Sequence, residues 1–369
     1  VRRRAEGTLA VLLVLCAPAA RAFHPLEATV DLFGFGQDDD GGQRFKAEGL
    51  RYVGARASAD FALDGSTELE TSAAASFLSN ESAADIAGVD AISGASRKLL
   101  ALDVSAGLSL RRGEVWTLRP AVAYHHQKGY VSEGVDLAVD RDLADGDATL
   151  TAALSVRFAF LDLETFSGAD AGTELAGTNA LSVSWRQNIT PRVTTQVGAQ
   201  YVRQDGYLGD SYNYVVQTNA GVPASITDEI LPRRRHRGQM NGRLRWSLGA
   251  NAAAGLDASF YLDSWDVRHF AVEPNFACPL PAIGRARGWW RVSRQEKTEH
   301  WWSEGQALGR YHTQDSDLGS FLAHSAGVAV TVPHGARARA DEVEVALYGF
   351  TRNDGIAALG ASAGLRRRW

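Results

Sequence analysis

From about residue 27 to the C-terminus, apolar and polar residues take turns along the chain. Residues 100–110 set Leu100, Leu102, Val104, Ala106, Leu108 and Leu110 against Ala101, Asp103, Ser105, Gly107 and Ser109. The same pattern opposes Leu150, Leu154, Val156 and Phe158 to Thr149, Thr151, Ser155 and Arg157, and Leu256, Phe260 and Leu262 to Asp257, Ser259 and Asp263. The last strand alternates Leu359, Ala361, Ala363 and Leu365 with Gly360, Ser362, Gly364 and Arg366. A period of two places alternate side chains on opposite faces of extended backbone. No helical period is sustained after the first 22 residues. The chain is therefore all-β, and each strand has one apolar face.

Alternation alone does not separate a soluble sandwich from a transmembrane barrel, since both have such strands. The connections do. Short links recur at Asp64-Gly65, Arg112-Gly113, Asp145-Gly146, Thr190-Pro191, Ala250-Asn251, Pro281-Ala282 and His334-Gly335. Between them lie mostly longer polar connections at 38–44, 80–98, 162–177, 204–234 and 296–319. Short turns at one end and long loops at the other are the asymmetry of an outer-membrane barrel. The spacing predicts about 16 antiparallel strands in an up-and-down transmembrane β-barrel. An even count puts both termini at the turn end.

The first residues fit export. Arg2, Arg3 and Arg4 precede the apolar run Leu9–Ala20, and Ala20-Arg21-Ala22 offers a small-x-small cleavage site. The expectation is a signal peptide over 1–22 and one barrel domain over 23–369. Cleavage before Cys16 as a lipoprotein is the weaker fit, because Leu15 stands where a small residue is needed. No later stretch reaches the roughly 18 apolar residues of a membrane helix. The formal charge of −5 gives no support to nucleic-acid binding. Only Cys16 and Cys278 are present, which excludes a disulfide framework in the exported chain.

Aromatic placement agrees with a membrane. Trp116 and Tyr124 share a face eight residues apart, about 26 Å along a strand. A tilt of about 45° projects this to about 19 Å, the scale of aromatic girdles around an apolar band. Trp369 ends an alternating strand with its ring on the outward set, as the assembly signal of an outer-membrane barrel would. Arg367, on the same face, departs from the usual apolar residue, at a cost of about 0–1 kcal/mol near headgroups.

Four segments carry a family resemblance: "DAISGAS" (90–96), "GYVSEGVDLAVDRDLADGDATL" (129–150), "NITPRVTTQVGAQYVRQDGYLGDSY" (188–212) and "FYLDSWDVRHFAVE" (260–273). Their order and spacing resemble those of an uncharacterised Gram-negative outer-membrane β-barrel family, domain of unknown function family 3570. This copy departs in being rich in Ala and Arg, and in having Ser264 where an acidic residue is expected. The resemblance implies a barrel and no established activity or catalytic residues. It also implies an extracytoplasmic redox setting, because family members tend to sit near genes for a small lipoprotein, thioredoxin-like proteins and flavin-attaching enzymes.

With the apolar set facing lipid, the lumen receives Arg119, Arg157, Arg186, Arg237, Arg243, Arg245, Arg285, Arg287 and Arg291. It also receives Glu68, Glu70, Asp103, Asp136, Asp140, Asp257, Asp263, Glu342 and Glu344. Arg245 should stand roughly opposite Asp257 across a hairpin. Acids are denser early and arginines later, so two walls of unlike charge would favour small polar or charged solutes. The expected function is a passive, porin-like channel. The alternative is a structural barrel that holds a periplasmic redox protein or small lipoprotein. Lipopolysaccharide, other outer-membrane lipids and the barrel assembly machinery are the expected partners, with no cofactor and no metal.

Other motifs are weaker. His125-His126 face opposite ways on a strand, and His269 with Glu273 lacks a third ligand. "QDDDGG" (37–42) lacks the closing Glu of a calcium loop. "RRRHR" (233–237) at a strand entrance suits lipid phosphate. Trp301 and Trp302 in "EHWWSEG" either stack on sugars or pack their loop inward, and packing is the stronger expectation. Ser132, Asp136 and His125 could be drawn together near the rim as a hydrolase set, but no nucleophile-elbow or zincin motif accompanies them.

Overall fold

The computed structural model describes residues 24–39, 47–83, 98–165, 169–209, 213–220, 222–249, 252–334 and 341–369. The expected leader over 1–22, the segment 90–96 and most of the connections at 38–44 and 80–98 lie outside the described residues. Nine strands come first: β1 (His24–Asp39), β2 (Ala47–Ala62), β3 (Thr67–Ala83), β4 (Lys98–Arg112), β5 (Trp116–Gln127), β6 (Tyr130–Leu143), β7 (Ala148–Glu164), β8 (Asp170–Thr190) and β9 (Val193–Gly206). A short hairpin, β10 (Tyr214–Asn219) and β11 (Val222–Asp228), follows. The remaining strands are β12 (Arg234–Gly249), β13 (Ala252–Asp263), β14 (Arg268–Leu280), β15 (Gly284–Glu296), β16 (Phe321–His334), β17 (Asp341–Arg352) and β18 (Ile356–Arg368).

All but β10 and β11 close into one antiparallel barrel of 16 strands. Each strand pairs with its neighbours in sequence, β12 pairs with β9 across the hairpin insertion, and β18 returns to β1. The closing register runs from Glu27↔Arg368 to Asp39↔Ile356 without a bulge. Closure leaves the barrel no unpaired sheet edge.

The register separates the two faces. Thr29 hydrogen-bonds Ser58, and Ser72 hydrogen-bonds Ser105, across adjacent strands on the inner face. The opposite parity carries large exposed apolar side chains: Leu32 at 59%, Val135 at 58%, Phe158 at 60%, Met240 at 63% and Leu359 at 76% exposure. Trp116 and Tyr124 belong to this outer set, and Arg141 stacks over the Trp116 ring. Arg367 likewise lies over the ring of Trp369, whose amide donates to the Leu26 carbonyl.

The inner wall has an aromatic sector. Phe33 and Tyr52 stack at 5.5 Å across β1 and β2. Trp289 and Tyr348 lie flat over Gly327 and Gly360 of the next strand, so a Cβ at either glycine would overlap the ring. Glycine here is a matter of close approach, since each ring rests on bare backbone.

Strand positions follow the alternation closely, with two differences. The expected loop 162–177 is mostly ladder, with Leu161↔Glu174 and Asp162↔Thr173 paired and a bulge at Leu163/Glu164. Its outer set carries Asp162, Glu164 and Thr173 while Leu163 is buried on the inner set, because beyond the apolar band nothing requires an apolar outer set. The expected loop 204–234 contains the β10–β11 hairpin, whose adjacent Val215 and Val216 are both buried. Burial on both faces erases alternation, which hid this hairpin.

Gly327→Val should force the Trp289 ring off its seat, an overpacking cost of about 1–3 kcal/mol. The expected result is a lower temperature for loss of the compact, heat-modifiable species on SDS gels, with Gly288→Ala, on the outer set, close to wild type.

Candidate functional site

The loop end of the barrel holds the most organised side-chain cluster. It grows from the strand entrance "RRRHR". Arg233 pairs with Glu174, and Arg234, on the outer set, donates to Asp205 at 2.7 Å. Arg235 turns inward, where its Nε donates to Asp263 at 2.7 Å. His236 faces out again, with its Nδ1 2.6 Å from the Tyr201 hydroxyl. Arg237 turns inward. Arg233, Arg234 and Arg235 therefore meet protein partners first, and Arg235 is a buried structural cation, contrary to its expected place among lipid phosphates. The physical reason is the period of two, which sends successive arginines to opposite sides.

Asp263 is fully buried and saturated. Besides Arg235 it accepts from the Tyr261 hydroxyl at 2.7 Å, the Trp265 amide at 2.9 Å and the Val267 amide at 3.1 Å. A buried carboxylate needs such partners to offset its lost hydration. Trp265 lies under the Arg235 guanidinium, 4.2 Å from Cζ to ring centroid, and its Nε1 donates to the Arg234 carbonyl at 3.1 Å. Trp265, Val267 and Leu318 form a small buried core with Leu208, Leu231 and Tyr261.

Two loops build a cap over this core. The Thr298 hydroxyl donates to the Trp265 carbonyl at 2.8 Å, and the Thr298 amide to the Leu318 carbonyl at 2.9 Å. Gln314 bonds both amide and carbonyl of Val216, and Ile230 and His312 exchange backbone hydrogen bonds, so loop 297–320 is tied to the β10–β11 hairpin. Arg352 holds the cap from the wall, donating to the Asp317 carboxylate at 3.1 Å and the Ser316 carbonyl at 2.7 Å. Trp302 is buried in the loop and Trp301 rests on Gly319. The tryptophans pack their own loop.

Beneath the cap lies a cavity of about 510 Å³, lined by Arg235, Arg237, Gln239, Ser259, Tyr261, Trp265, His269 and Arg291 among others. A second, deeper cavity of about 300 Å³ shares Gln239, Ser259 and Arg291 and continues along Asn241, Arg243, Asp257 and Glu273.

Every residue expected in the lumen has inner-face parity, and most meet a partner on an adjacent strand. Arg119 pairs with Asp140 and Arg157 with Asp136, each at 2.5 Å. His125 Nδ1 lies 2.7 Å from Asp103. The backbone register sets Arg243 opposite Asp257, and Arg245 reaches the same carboxylate at 2.7 and 2.8 Å across Gly255. Arg291 stands 3.8 Å from Glu273, Glu342 within 4.0 Å of Arg366 and Arg368, and Glu344 accepts from Thr331 at 3.1 Å. Among the described residues Arg186, Arg237, Arg285 and Arg287 have no carboxylate within salt-bridge range, and Glu68 and Glu70 no base. The expected walls of unlike charge are thus largely cancelled by cross-strand pairing, and what remains is acidic on β3 and basic on β8, β12 and β15.

The structure does not assemble Ser132, Asp136 and His125 as a set: Asp136 serves Arg157, and His125 turns to Asp103. Among the described residues no three His, Cys, Asp or Glu side chains converge on a metal position, His269 and Glu273 included. Sequence reasoning missed Trp265, Tyr261 and Gln239 as site residues. Trp265 had one signal, a tryptophan at the exit of a strand, where a ring can turn back over the barrel mouth.

Asp263→Asn should leave Arg235 as an uncompensated buried cation, a loss of about 3–5 kcal/mol from the cap. Limited trypsin digestion should then cut at Lys297 or Arg310 while the barrel stays heat-modifiable. Acid should loosen the same cap. Burial of His300, whose ring meets Trp265 and Tyr311, lowers its pKa below 6.5 against the opposing pull of Glu299, Asp263 and Asp266. The neutral form is favoured in the folded cap, so its stability is intact above the unfolded pKa and falls as pH drops through the folded one. Protease sensitivity should rise between pH 7.5 and 5, and His300→Asn should flatten that rise.

Among curated proteins, none matches this sequence. Solved structures of similar architecture include a bacterial polysaccharide outer membrane secretin (12% identity, TM-score 0.47, 93% of this chain and 98% of that one). Two from Pseudomonas aeruginosa are OccK5 (OpdH), at 10% identity and TM-score 0.43 over 92% and 96% of the chains, and OpdQ, at 8% and 0.46 over 93% and 98%. These likenesses concern the barrel alone. Residues 101–366 match the family described as Protein of unknown function (DUF3570). With most of the barrel inside that match, the chain belongs to the DUF3570 family.

Proposed function

We propose that the chain is a passive channel of a Gram-negative outer membrane, admitting small polar or charged solutes. The outer surface supports the membrane setting. Leu32, Val135, Phe158, Met240 and Leu359 are more than half exposed, and apolar surface left in water costs about 25 cal/mol per Å². Aromatic residues stand on the outer set near both ends of the strands, Trp116, Trp246 and Phe276 toward the turns and Tyr201 and Phe270 toward the loops. Barrel strands of 12 to 21 residues exceed the roughly 9–11 needed to cross the apolar layer.

The observation that carries the channel reading is the pair of polar cavities, about 510 and 300 Å³, that meet at Gln239, Ser259 and Arg291 along β12–β15. A wall braced only for stability gains nothing from such solvent-filled space, whereas a passage requires it. Locally paired charges keep that passage hydrated without trapping one sign of ion. Purified, heat-modifiable protein in planar bilayers should give discrete ohmic conductance steps, and Asp263→Asn, by loosening the cap, should raise their amplitude. Folded protein without steps would overturn the reading. It would leave the structural barrel that holds a periplasmic redox protein or lipoprotein.

A further inference from the structure

The cavity under the cap contains a cation that no described residue answers. Arg235 is taken by Asp263. Arg237, two residues on and on the same face, has no carboxylate within 4.0 Å and no hydrogen bond to any described residue, and its Nε is shut off from water. The buried Nε forfeits a charge-assisted hydrogen bond, while the two terminal nitrogens of the guanidinium are not shut off and can take an acceptor from the cavity. Among the described residues no second inward arginine has a nitrogen walled off in this way.

The surroundings define what would complete it. Tyr261, His269, Ser259 and Gln239 put polar groups on the same cavity, while Trp265 and Leu318 of the cap form an apolar roof. A volume of about 510 Å³ suits a molecule of drug-fragment size. Glu229, Asp315 and Asp317 also line the cavity and oppose a ligand of several negative charges. We infer that this cavity is a binding site for a small organic monocarboxylate, its carboxylate on the Arg237 guanidinium and its hydrocarbon part under Trp265 and Leu318. The inference deepens the channel reading, on which it rests for its physiological sense, by naming the class of solute.

The test is equilibrium dialysis of the full chain in detergent with radiolabelled benzoate. One saturable site per chain is expected. Hexanoate should displace the label, and benzyl alcohol, the neutral analogue, and citrate, a polyanion, should not. Arg237→Gln should weaken binding roughly ten- to hundredfold, the worth of a charge-assisted hydrogen-bond pair. Arg237→Lys, which keeps the charge and loses the planar fork, should fall between. Ser259→Leu, which fills the cavity without removing the cation, should abolish binding and serves if Arg237→Gln does not fold. Absence of saturable binding, equal displacement by benzyl alcohol, or wild-type affinity in folded Arg237→Gln would each overturn the site. A conducting protein that ignores benzoate sinks this inference and spares the channel; one that binds benzoate without conducting does the reverse.

Discussion

The structure depends on the pairing of its first strand with its last. Thirteen consecutive register pairs join β1 to β18, and Arg366 and Arg368 add ion pairs to Glu27 across the seam. Without that closure the sheet would have two edges with unanswered backbone groups. With it every barrel strand has a partner on both sides, and each side chain has two choices, inside or outside. The loop-closure entropy of joining residues more than 300 apart is met by the cooperative ladder that intervenes, since each hairpin is local and only the seam is distant.

Once the cylinder is closed, the inner face solves its electrostatics over short distances. Cross-strand neighbours stand about 5 Å apart, so a charge meets its nearest partner before it feels the far wall. This is why Arg119, Arg157 and Arg245 each find an acid one strand away. Exceptions therefore carry information. Arg237 is one, held next to the satisfied Arg235–Asp263 pair, and the contrast between the two arginines is what marks the cavity. The cap depends on the same carboxylate: Asp263 orients Trp265, and Trp265 receives the loop through Thr298.

The barrel was legible in the sequence because a strand between an apolar and a polar medium must alternate, and alternation survives in one dimension. Strand edges, the inner parity of the charged residues and the outward Trp116 and Tyr124 follow from it. Where both faces share one medium, the signal vanishes. The extension of β7 and β8 past residue 161 puts Asp162, Glu164 and Thr173 on the outer set and Leu163 on the inner, and β10 is buried on both sides at Val215 and Val216.

Alternation and turn spacing by themselves determined an all-β chain of one barrel with small turns at one end, since those are local properties of two to twenty residues. Tertiary structure alone decided which inward charges cancel, because pairing depends on cross-strand register: Asp257 faces Arg243 in the ladder yet is bonded most closely by Arg245. It also decided that loops 207–233 and 297–320 meet as a cap. Contacts such as Gln314 to Val216 join positions about a hundred residues apart, and only the closed cylinder sets them side by side.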